Sequence, residues 1–278
     1  MLDINIKDIC DKSEEEIKQF SKACIIRPSV AVINIGDSAI NERFVKAKES
    51  ACNRVGIYFR YHNFEEGTPE LTIINKIKEL NNDDYVNGIM VNLPIPDRYN
   101  EKRILNSIIN SKDIDGLTDI NIGRLTSGRK SIAPCAAQGI MELLKQLEVP
   151  LESKEVVLIG NSKQIGRPLI NMFLDEGSTV TICNSKTNDL SKYTKNADII
   201  VSSTGQPNLI TADMIKEGSI VIDGGYNVDE KRKVCGDVDY NKVSKKASYV
   251  SPVPGGVGTM TVSVFLKNII LCYNNKNK

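Results

Sequence analysis

The chain has 278 residues, of which 41% are hydrophobic and 26% charged, a composition typical of globular proteins. Its 36 Lys and Arg nearly balance 35 Asp and Glu, so charge predicts neither a nucleic-acid nor a membrane partner. We find no apolar run of membrane-spanning length and no signal peptide at the N-terminus. Seven scattered cysteines without a C-x-x-C motif and a single histidine argue against a disulfide framework or a bound metal. We therefore expect a cytoplasmic protein.

Strands and helices alternate through the N-terminal half. A β-branched run at 30–35 ends at Gly36, and a helix capped by Asp37 or Ser38 is predicted to continue to Val55. The other predicted elements of this half are a strand at 57–64, a helix at 69–80, a strand at 88–93 and a helix at 101–110. Strand–helix–strand repeats at this spacing predict parallel pairing and an α/β domain.

The second half repeats this alternation. The predicted elements are a connecting helix at 134–147, a buried strand at 155–159, a helix at 168–175 and strands at 178–183, 198–203 and 219–223. This order is typical of a dinucleotide-binding domain. We predict two α/β domains: residues 1–135, and a Rossmann-like domain at 136–258. The C-terminal helix 259–278 is expected to pack back onto the first domain.

Two prolines and three glycines lie within Pro252–Gly258, directly before that helix. Proline fixes φ, whereas glycine frees it and removes the side chain. The segment therefore predicts a rigid, bare loop close to a flat or charged ligand, beside the N–H groups of a helix N-terminus. An ordinary turn before a helix is the alternative.

A glycine-rich turn, 160–168, follows the buried strand and precedes a helix. In that position backbone N–H groups can approach a pyrophosphate, whose charge the helix dipole favours. The turn departs from G-x-G-x-x-G, because Ser162 replaces the middle glycine and the second half is one residue longer. A turn that serves packing alone is the alternative. Gly205 and Gly224-Gly225 also follow strands, where open α/β sheets bind ligands.

The strand at 178–183 continues into Asn184-Ser185-Lys186-Thr187. NAD-selective sites usually place an acidic residue here for the ribose 2′-OH, and none is present. The hydroxyl groups and the lysine would suit a 2′-phosphate. A solvated polar loop is the alternative.

Three segments of the first half are candidates for chemistry. Phe44 and Lys48 stand four residues apart and so share a helix face. Asn92 ends a predicted strand, and Lys112-Asp113-Ile114-Asp115-Gly116 places two acids at a turn. Each segment alone is also explained by solvated helix or turn residues.

Together and in order, these segments resemble the methylenetetrahydrofolate dehydrogenase/cyclohydrolase (FolD) family over nearly the whole chain. The segments that carry the resemblance are the Phe44–Lys48 helix, 88–96, 112–116, 160–168, Gly236-Asp237-Val238 and 252–258. The resemblance implies two α/β domains with a cleft between them, usually in a homodimer. It also implies oxidation of 5,10-methylenetetrahydrofolate with NADP, or less often NAD. Hydrolysis of the methenyl product to 10-formyltetrahydrofolate then follows, in one-carbon metabolism and purine biosynthesis.

The resemblance assigns roles residue by residue. Lys48 would be the catalytic lysine, Asn92 would orient it, and Asp115 would hold the pterin. The other residues that would contact the substrate are Phe44, Leu93, Pro94, Pro254, Gly255 and Gly256. Those that would contact the cofactor are Gly160, Asn161, Ser162, Ile165, Gly166, Ser185, Lys186, Thr204, Gly205 and Gly225.

Several positions depart from the family pattern. The family typically has Tyr where this chain has Phe44, and Gln where it has Asn92. Both changes reduce the support of the lysine, so we expect hydrolysis to be affected more than hydride transfer. Asn161 stands where many NADP-using members carry Arg, Asn184 where His is common, and Thr259 where Pro is usual.

Three hypotheses follow. The preferred one is a dehydrogenase that also hydrolyses the methenyl product. The alternatives are a dehydrogenase with weak or absent cyclohydrolase activity, and a diverged paralogue that binds folate or nucleotide without turnover. Retention of Lys48, Asp115 and the glycines of the phosphate loop favours an enzyme.

Overall fold

A computed structural model describes residues 4–228 and 233–276 of the chain. The last two residues of the predicted C-terminal helix, 277–278, lie outside the described residues. The chain divides into two compact units. The N-terminal unit comprises Asp11–Arg124, Arg129–Cys135 and Val262–Lys278, and the C-terminal unit comprises Met1–Cys10, Leu125–Gly128 and Ala136–Thr261.

Helices and strands alternate along most of the described chain. The α-helices are α1 (Ile6–Ala23), α2 (Ala39–Val55), α3 (Glu70–Asn82), α4 (Glu101–Leu105), α5 (Asp119–Thr126), α6 (Cys135–Gln146), α7 (Gly166–Asp175), α8 (Ser191–Thr194), α9 (Tyr240–Val243) and α10 (Val257–Lys276). The strands are β1 (Ser29–Ile35), β2 (Tyr58–Phe64), β3 (Gly88–Val91), β4 (Glu155–Ile159), β5 (Thr179–Cys183), β6 (Ile199–Ser202), β7 (Ile220–Asp223), β8 (Asn227–Val228), β9 (Val234–Cys235) and β10 (Tyr249–Val250).

The N-terminal unit contains a parallel three-stranded sheet in the order β2-β1-β3. All seven residues of the central strand β1 are buried. Its alternate side chains enter two apolar clusters, with Val30 and Val32 in one and Ala31, Ile33 and Ile35 in the other. Since β1 lies between its two partners, the strand order reverses beside the carboxyl ends of β1 and β3, where open α/β sheets bind ligands.

Helix α2 has a defined start and end. The Ser38 side chain accepts a hydrogen bond from the Asn41 N–H, and Gly56 ends the helix in the left-handed region with φ 79°. A hydroxyl at the N-cap satisfies an N–H of the first turn, and glycine adopts this φ without a Cβ penalty. The predicted helix is therefore confirmed, and its caps fix the position of Lys48 along the helix axis.

The C-terminal unit contains a parallel five-stranded sheet in the order β10-β7-β6-β4-β5. Alternate residues of β4 enter separate apolar clusters, with Val156 and Leu158 in one and Val157 and Ile159 in the other. Both faces of the sheet are therefore covered, as in doubly wound α/β proteins. The prediction of two α/β domains with a Rossmann-like second domain is confirmed.

The helices α5, α8 and α9 were not predicted, and two further helices also differ from the predictions. The helix predicted over 101–110 ends at Leu105, because polar side chains then bond to the backbone: Asn106 donates to the Lys102 carbonyl and Ser107 to the Ile104 carbonyl. The 18-residue helix α1 was not predicted, although it is amphipathic and buries Ile6, Cys10 and Ile17.

Helix α10 corrects one expectation from the sequence. Among the described residues, Val257–Asn275 is long and apolar enough to cross a membrane by length and composition alone. Half of that window is nevertheless buried inside the protein, and Phe265, Leu266 and Ile269 belong to an apolar cluster of the N-terminal unit. Because the core helix of a water-soluble protein passes the same test, this helix does not support a membrane assignment.

Candidate active site

The Lys48 side chain is buried in the N-terminal unit, with 6% of its surface exposed. Its Nζ lies 3.4 Å from Asn92 Oδ1 and 5.8 Å from the centroid of the Phe265 ring. Burial lowers the pKa of Lys48 because it disfavours the charged amine, and the Asp115 carboxylate partly opposes this effect. The amine therefore gives up its proton more readily than an exposed lysine does.

The Asp115 side chain is also buried, and 7% of it is exposed. Burial raises the pKa of Asp115 to about 6, Lys48 acts in the opposite direction, and Asp113 raises it further. The carboxylate accepts hydrogen bonds from the thiol and the backbone N–H of Cys135. Lys48 and Asp115 thus form a buried pair in which each group favours the charged form of the other, an arrangement suited to proton transfer.

Two residues that sequence reasoning missed support Asp115. Asn268 on α10 donates to the Ile114 carbonyl at 2.9 Å and lies 3.5 Å from the Cys135 sulfur. The Cys135 thiol in turn contacts the Ile114 carbonyl at 3.3 Å. Asn268 therefore holds both the backbone before Asp115 and the thiol that contacts its carboxylate.

The rest of the Lys112–Gly116 motif has a structural role. The Lys112 ammonium donates to three backbone carbonyls at the C-terminal end of α3, those of Leu80, Asn81 and Asp83. The Asp113 carboxylate accepts hydrogen bonds from the backbone N–H groups of Leu117 and Thr118 and from the Asn121 amide. Only Asp115 of this motif is directed toward the lysine.

The Asn92 amide directly follows β3 and is 2% exposed. Its Nδ2 lies 3.3 Å from Asn34 Oδ1 and 3.4 Å from the Asn41 carbonyl oxygen. The sequence contained a signal for Asn34, because this residue is the only polar one in the apolar run 30–35. The structure thus brings Lys48, Asn92 and Asp115 together; we call these three residues the lysine cluster.

The predicted substrate contacts of the N-terminal unit lie next to the lysine cluster in sequence. Phe44 is half-buried on α2, one turn before Lys48. Leu93 is half-buried and Pro94 is exposed, and the peptide bond between them is cis. The Pro94 carbonyl accepts a hydrogen bond from the Asn41 amide at 3.0 Å, which ties this loop to the start of α2.

The remaining predicted substrate contacts lie in the C-terminal unit. Pro254 and Gly255 are exposed, and Gly256 is buried. Gly255 has φ 105°, and a Cβ at Gly256 would collide with the Pro252 carbonyl oxygen. The Thr259 N–H donates to the Gly256 carbonyl at 3.0 Å. The N–H that Thr259 restores, relative to proline, is therefore used inside the first turn of α10.

The glycine-rich turn begins directly after β4. Gly160 has φ 107°, and a Cβ there would collide with the Ser203 carbonyl oxygen, while a Cβ at Gly166 would collide with the Gly160 carbonyl oxygen. Asn161 and Ser162 are exposed, and Ser162 Oγ accepts from the Ile165 N–H at 3.2 Å. A bare backbone that leads into the ten-residue helix α7 fits a dinucleotide pyrophosphate.

The loop after β5 closes on itself. Asn184 Oδ1 accepts from the Lys186 N–H at 2.9 Å, and Thr187 Oγ1 accepts from the Asn184 N–H at 2.9 Å. Ser185 and Lys186 are exposed at the tip of this turn. A hydroxyl and an ammonium on a hydrogen-bonded turn fit a phosphate monoester.

Two buried aspartates that sequence reasoning did not assign support the remaining predicted cofactor contacts. Asp237 accepts from the backbone N–H and the hydroxyl of Thr204 at 2.6 and 2.9 Å. Asp223 accepts from the Gly225 N–H at 2.9 Å, and burial raises its pKa to about 6. A Cβ at Gly225 would collide with the Asp237 carboxylate. Gly205, at φ 71°, is exposed and follows Thr204.

Comparison with known proteins finds the same family in both parts of the chain. Residues 4–115 match the model of the tetrahydrofolate dehydrogenase/cyclohydrolase catalytic domain, and residues 134–277 match the model of the NAD(P)-binding domain of the same family. The bifunctional protein FolD of Campylobacter jejuni is 45% identical over 274 residues, which cover 97% of this chain and 97% of that protein.

Solved structures agree as well. A crystal structure of the bifunctional enzyme FolD from Campylobacter jejuni has a TM-score of 0.95 at 44% identity and covers 98% of both chains. The Trypanosoma brucei FolD, complexed with NADP cofactor and an inhibitor, has a TM-score of 0.95 at 29% identity, with 99% of this chain and 98% of that chain covered.

The fold and the two sites therefore define an α/β enzyme with a catalytic domain and an NAD(P)-binding domain. More specifically, the chain belongs to the tetrahydrofolate dehydrogenase/cyclohydrolase family.

Proposed function

We propose that this protein oxidises 5,10-methylenetetrahydrofolate to 5,10-methenyltetrahydrofolate with NADP and then hydrolyses the product to 10-formyltetrahydrofolate. The observation that carries this proposal is the buried Lys48 amine, whose pKa is lowered by burial and whose Nζ lies 3.4 Å from Asn92 Oδ1. Membership of the family and the bifunctional relatives support both activities.

In the hydrolysis, the chain supplies a proton acceptor and an anchor. The methenyl carbon is cationic, so water adds to it once the water can lose a proton. The Lys48 amine, whose pKa is lowered by burial, accepts that proton when it is deprotonated, and Asn92 holds the amine in place. The hydroxyl proton of the adduct then passes to the ring nitrogen whose bond to the carbon breaks, which leaves the formyl group on the other nitrogen, and the proton held by Lys48 is released to solvent. Asp115 anchors the pterin ring through its carboxylate.

The oxidation depends mainly on positioning. NADP, when bound, accepts the hydride from the methylene carbon. Since transfer between two planar rings needs little acid–base chemistry, the protein contributes by holding both rings in place. Phe44, Leu93, Pro94 and the segment Pro254–Gly256 contact the folate in this proposal.

The glycine-rich turn and the loops after β5, β6 and β7 hold the cofactor. Gly160, Asn161, Ser162, Ile165 and Gly166 lie at the pyrophosphate. Thr204, Gly205 and Gly225 complete the site at the ends of the next strands.

Ser185 and Lys186 select NADP over NAD in this proposal. Both are exposed on the turn after β5, and no acidic residue lies between Asn184 and Thr187 to favour a free 2′-OH. Asn161 lacks the cation that many NADP-using family members carry at its position, so Lys186 supplies the positive charge near the 2′-phosphate.

We further propose the domain and cellular assignments. Residues 1–135 with helix 259–278 form the catalytic domain, and residues 136–258 form the nucleotide domain. The protein acts as a homodimer in the cytoplasm, and its seven scattered cysteines, which contain no C-x-x-C motif, match a reducing compartment. Light scattering on the purified protein tests the dimer: twice the chain mass supports it, and the mass of one chain contradicts it.

One assay tests the proposed activity. The purified protein is given 5,10-methylenetetrahydrofolate with NADP and, separately, with NAD, and reduced nicotinamide is followed. Hydrolysis of added methenyltetrahydrofolate is measured on the same preparation. We expect reduction with NADP and loss of the methenyl substrate. No reduced nicotinamide with either cofactor would overturn the enzyme assignment, in favour of a folate- or nucleotide-binding paralogue.

The second candidate is a dehydrogenase with weak or absent cyclohydrolase activity. Phe44 and Asn92 favour it, because one lacks the usual hydroxyl and the other is one methylene shorter than the usual residue. Reduction of NADP together with an intact methenyl substrate would support this candidate.

A further inference from the structure

Asn34 is a polar residue near the carboxyl end of a buried, mainly apolar strand. It lies on β1, all of whose residues are buried, and its own exposure is 2%. An amide in such a place destabilises the fold unless its hydrogen bonds are satisfied.

The orientation of the Asn34 amide is fixed by a backbone carbonyl. Its Nδ2 donates to the Gly36 carbonyl at 2.8 Å and to Asn63 Oδ1 at 2.9 Å. A backbone carbonyl can only accept, so the amide nitrogen must face Gly36. The Asn34 carbonyl oxygen consequently faces the other way, toward Asn92 Nδ2 at 3.3 Å.

The same reasoning fixes Asn92. Its Nδ2 meets two acceptors, Asn34 Oδ1 and the Asn41 backbone carbonyl at 3.4 Å. Its carbonyl oxygen is then the atom that faces the Lys48 amine. If the Asn92 amide rotated, the lysine would meet an N–H group and lose its acceptor.

We propose that Asn34 is a positioning residue for hydrolysis: it holds the Asn92 amide in the orientation that presents an oxygen to Lys48. The inference rests on the proposed function of Lys48. It explains how a side chain one methylene shorter than the usual glutamine still presents its oxygen to the lysine, since both acceptors of its amide nitrogen are in place.

A double-mutant cycle between Asn34→Leu and Asn92→Ala tests the proposal. We expect Asn34→Leu to lower the rate of methenyltetrahydrofolate hydrolysis about tenfold and to leave hydride transfer within about twofold. In the Asn92→Ala background, Asn34→Leu should cause no further loss. The proposal would be overturned if the losses of hydrolysis in the two single variants multiplied in the double variant. It would also be overturned if Asn34→Leu slowed hydrolysis and hydride transfer equally.

A matched variant separates positioning from general destabilisation. Asn81 has a half-buried amide in the same unit, which donates to the Ser107 carbonyl and accepts from the Ile109 N–H. Asn81→Leu should affect the two reactions equally. If Asn81→Leu lost hydrolysis selectively, the effect of Asn34→Leu would not be specific to Asn34, and the proposal would be overturned.

A second readout does not depend on activity. In protein labelled with ¹⁵N-asparagine, the Asn92 side-chain amide protons should exchange with solvent at least about tenfold faster in Asn34→Leu. An unchanged rate of amide exchange would overturn the proposal. This readout holds even if the wild-type protein has no hydrolytic activity, a result that would contradict the proposed function and not the role of Asn34. If Asn34→Leu does not fold, Asn34→Ala replaces it in both experiments.

Discussion

The lysine cluster and the nucleotide turns differ in which part of the chain forms the site: side chains in the first and backbone in the second. We define the nucleotide turns as residues 160–166, 203–205 and 224–225. The lysine cluster consists of three buried side chains, and burial shifts the pKa values of two of them, Lys48 and Asp115. The nucleotide turns consist mainly of backbone: a Cβ at Gly160, Gly166 or Gly225 would strike a neighbouring carbonyl or carboxylate oxygen.

This difference indicates which substitutions each site tolerates. In the nucleotide turns the shape of the backbone sets binding, so exposed side chains such as Asn161 can vary while glycines cannot. In the lysine cluster the chemistry depends on the exact side chain. A change such as a shorter amide at Asn92 then needs a compensating partner, for which we propose Asn34.

The largest expected effect on oxidation is at Gly166. Gly166→Ala places a Cβ against the Gly160 carbonyl oxygen, so the turn or α7 must move. We expect oxidation with NADP to fall at least about 100-fold, because misplaced positioning groups cost that much. Hydrolysis, measured without nucleotide, should keep at least about half of its rate.

Gly123→Ala is the matched control for that variant. Gly123 lies in α5, and no atom stands within 4 Å of a Cβ built there. Alanine in a helix should stabilise the protein by about 0.5–1 kcal/mol and leave both reactions unchanged. If Gly166→Ala oxidised the substrate at the wild-type rate, the backbone of the glycine-rich turn would not define the cofactor site.

The next effect concerns stability against pH in the lysine cluster. The pKa of Asp115 is about 6 in the folded protein against 3.8 for an ordinary aspartate, so the folded state holds this proton more tightly. The stabilisation is complete below pH 4 and is lost as pH rises to about 6. Between these limits the free energy of unfolding should fall by on the order of 2 kcal/mol more in the wild type than in Asp115→Asn.

Urea denaturation at several pH values checks this prediction, and the exposed Asp119 supplies the control. Asp119→Asn should reproduce the wild-type pH dependence. Parallel curves for the wild type and Asp115→Asn would show that Asp115 titrates like an exposed carboxyl, which the burial of the lysine cluster does not allow.

Cofactor selection has a smaller expected effect. Lys186→Ala removes the positive charge from the exposed turn after β5, so the KM for NADP should rise about tenfold while that for NAD stays unchanged. Lys192→Ala removes an exposed lysine from α8 and should change neither value. An equal rise for both cofactors would place Lys186 away from the 2′-phosphate.

The smallest effect tests the length of the amide. The distance of 3.4 Å between Asn92 Oδ1 and the Lys48 amine is long for a charge-assisted hydrogen bond, and Asn92→Gln adds one methylene. Hydrolysis should rise about threefold if the reach of Asn92 limits it. A rate that does not rise would remove reach as the reason for any weak cyclohydrolase activity.

Much of the fold follows from local patterns. The β-branched run at 30–35 and the polar cap before α2 place Lys48 on a helix that leaves β1, and the run at 155–159 places Gly160 at a strand end. These signals lie within a few residues of each other. The shortened α4 escaped prediction because the side chains of Asn106 and Ser107 compete with the helix for the backbone.

The support of the site could not be predicted in the same way. Asn268 meets the Ile114 carbonyl across 154 residues of sequence, and Asn34 meets Asn92 across 58. One sequence contains no signal for which distant side chains come together. The lone asparagine in the apolar run marked Asn34 as unusual, but only the packed structure shows that its partner is the amide beside the lysine.

The central claim is that hydrolysis depends on the Lys48 amine and oxidation on the nucleotide turns. Lys48→Ala, assayed for both reactions on one folded preparation, tests this most directly. The account predicts that hydrolysis falls below detection while oxidation of 5,10-methylenetetrahydrofolate with NADP survives at least in part. Equal loss of both reactions would contradict it and would assign Lys48 to substrate binding or structure.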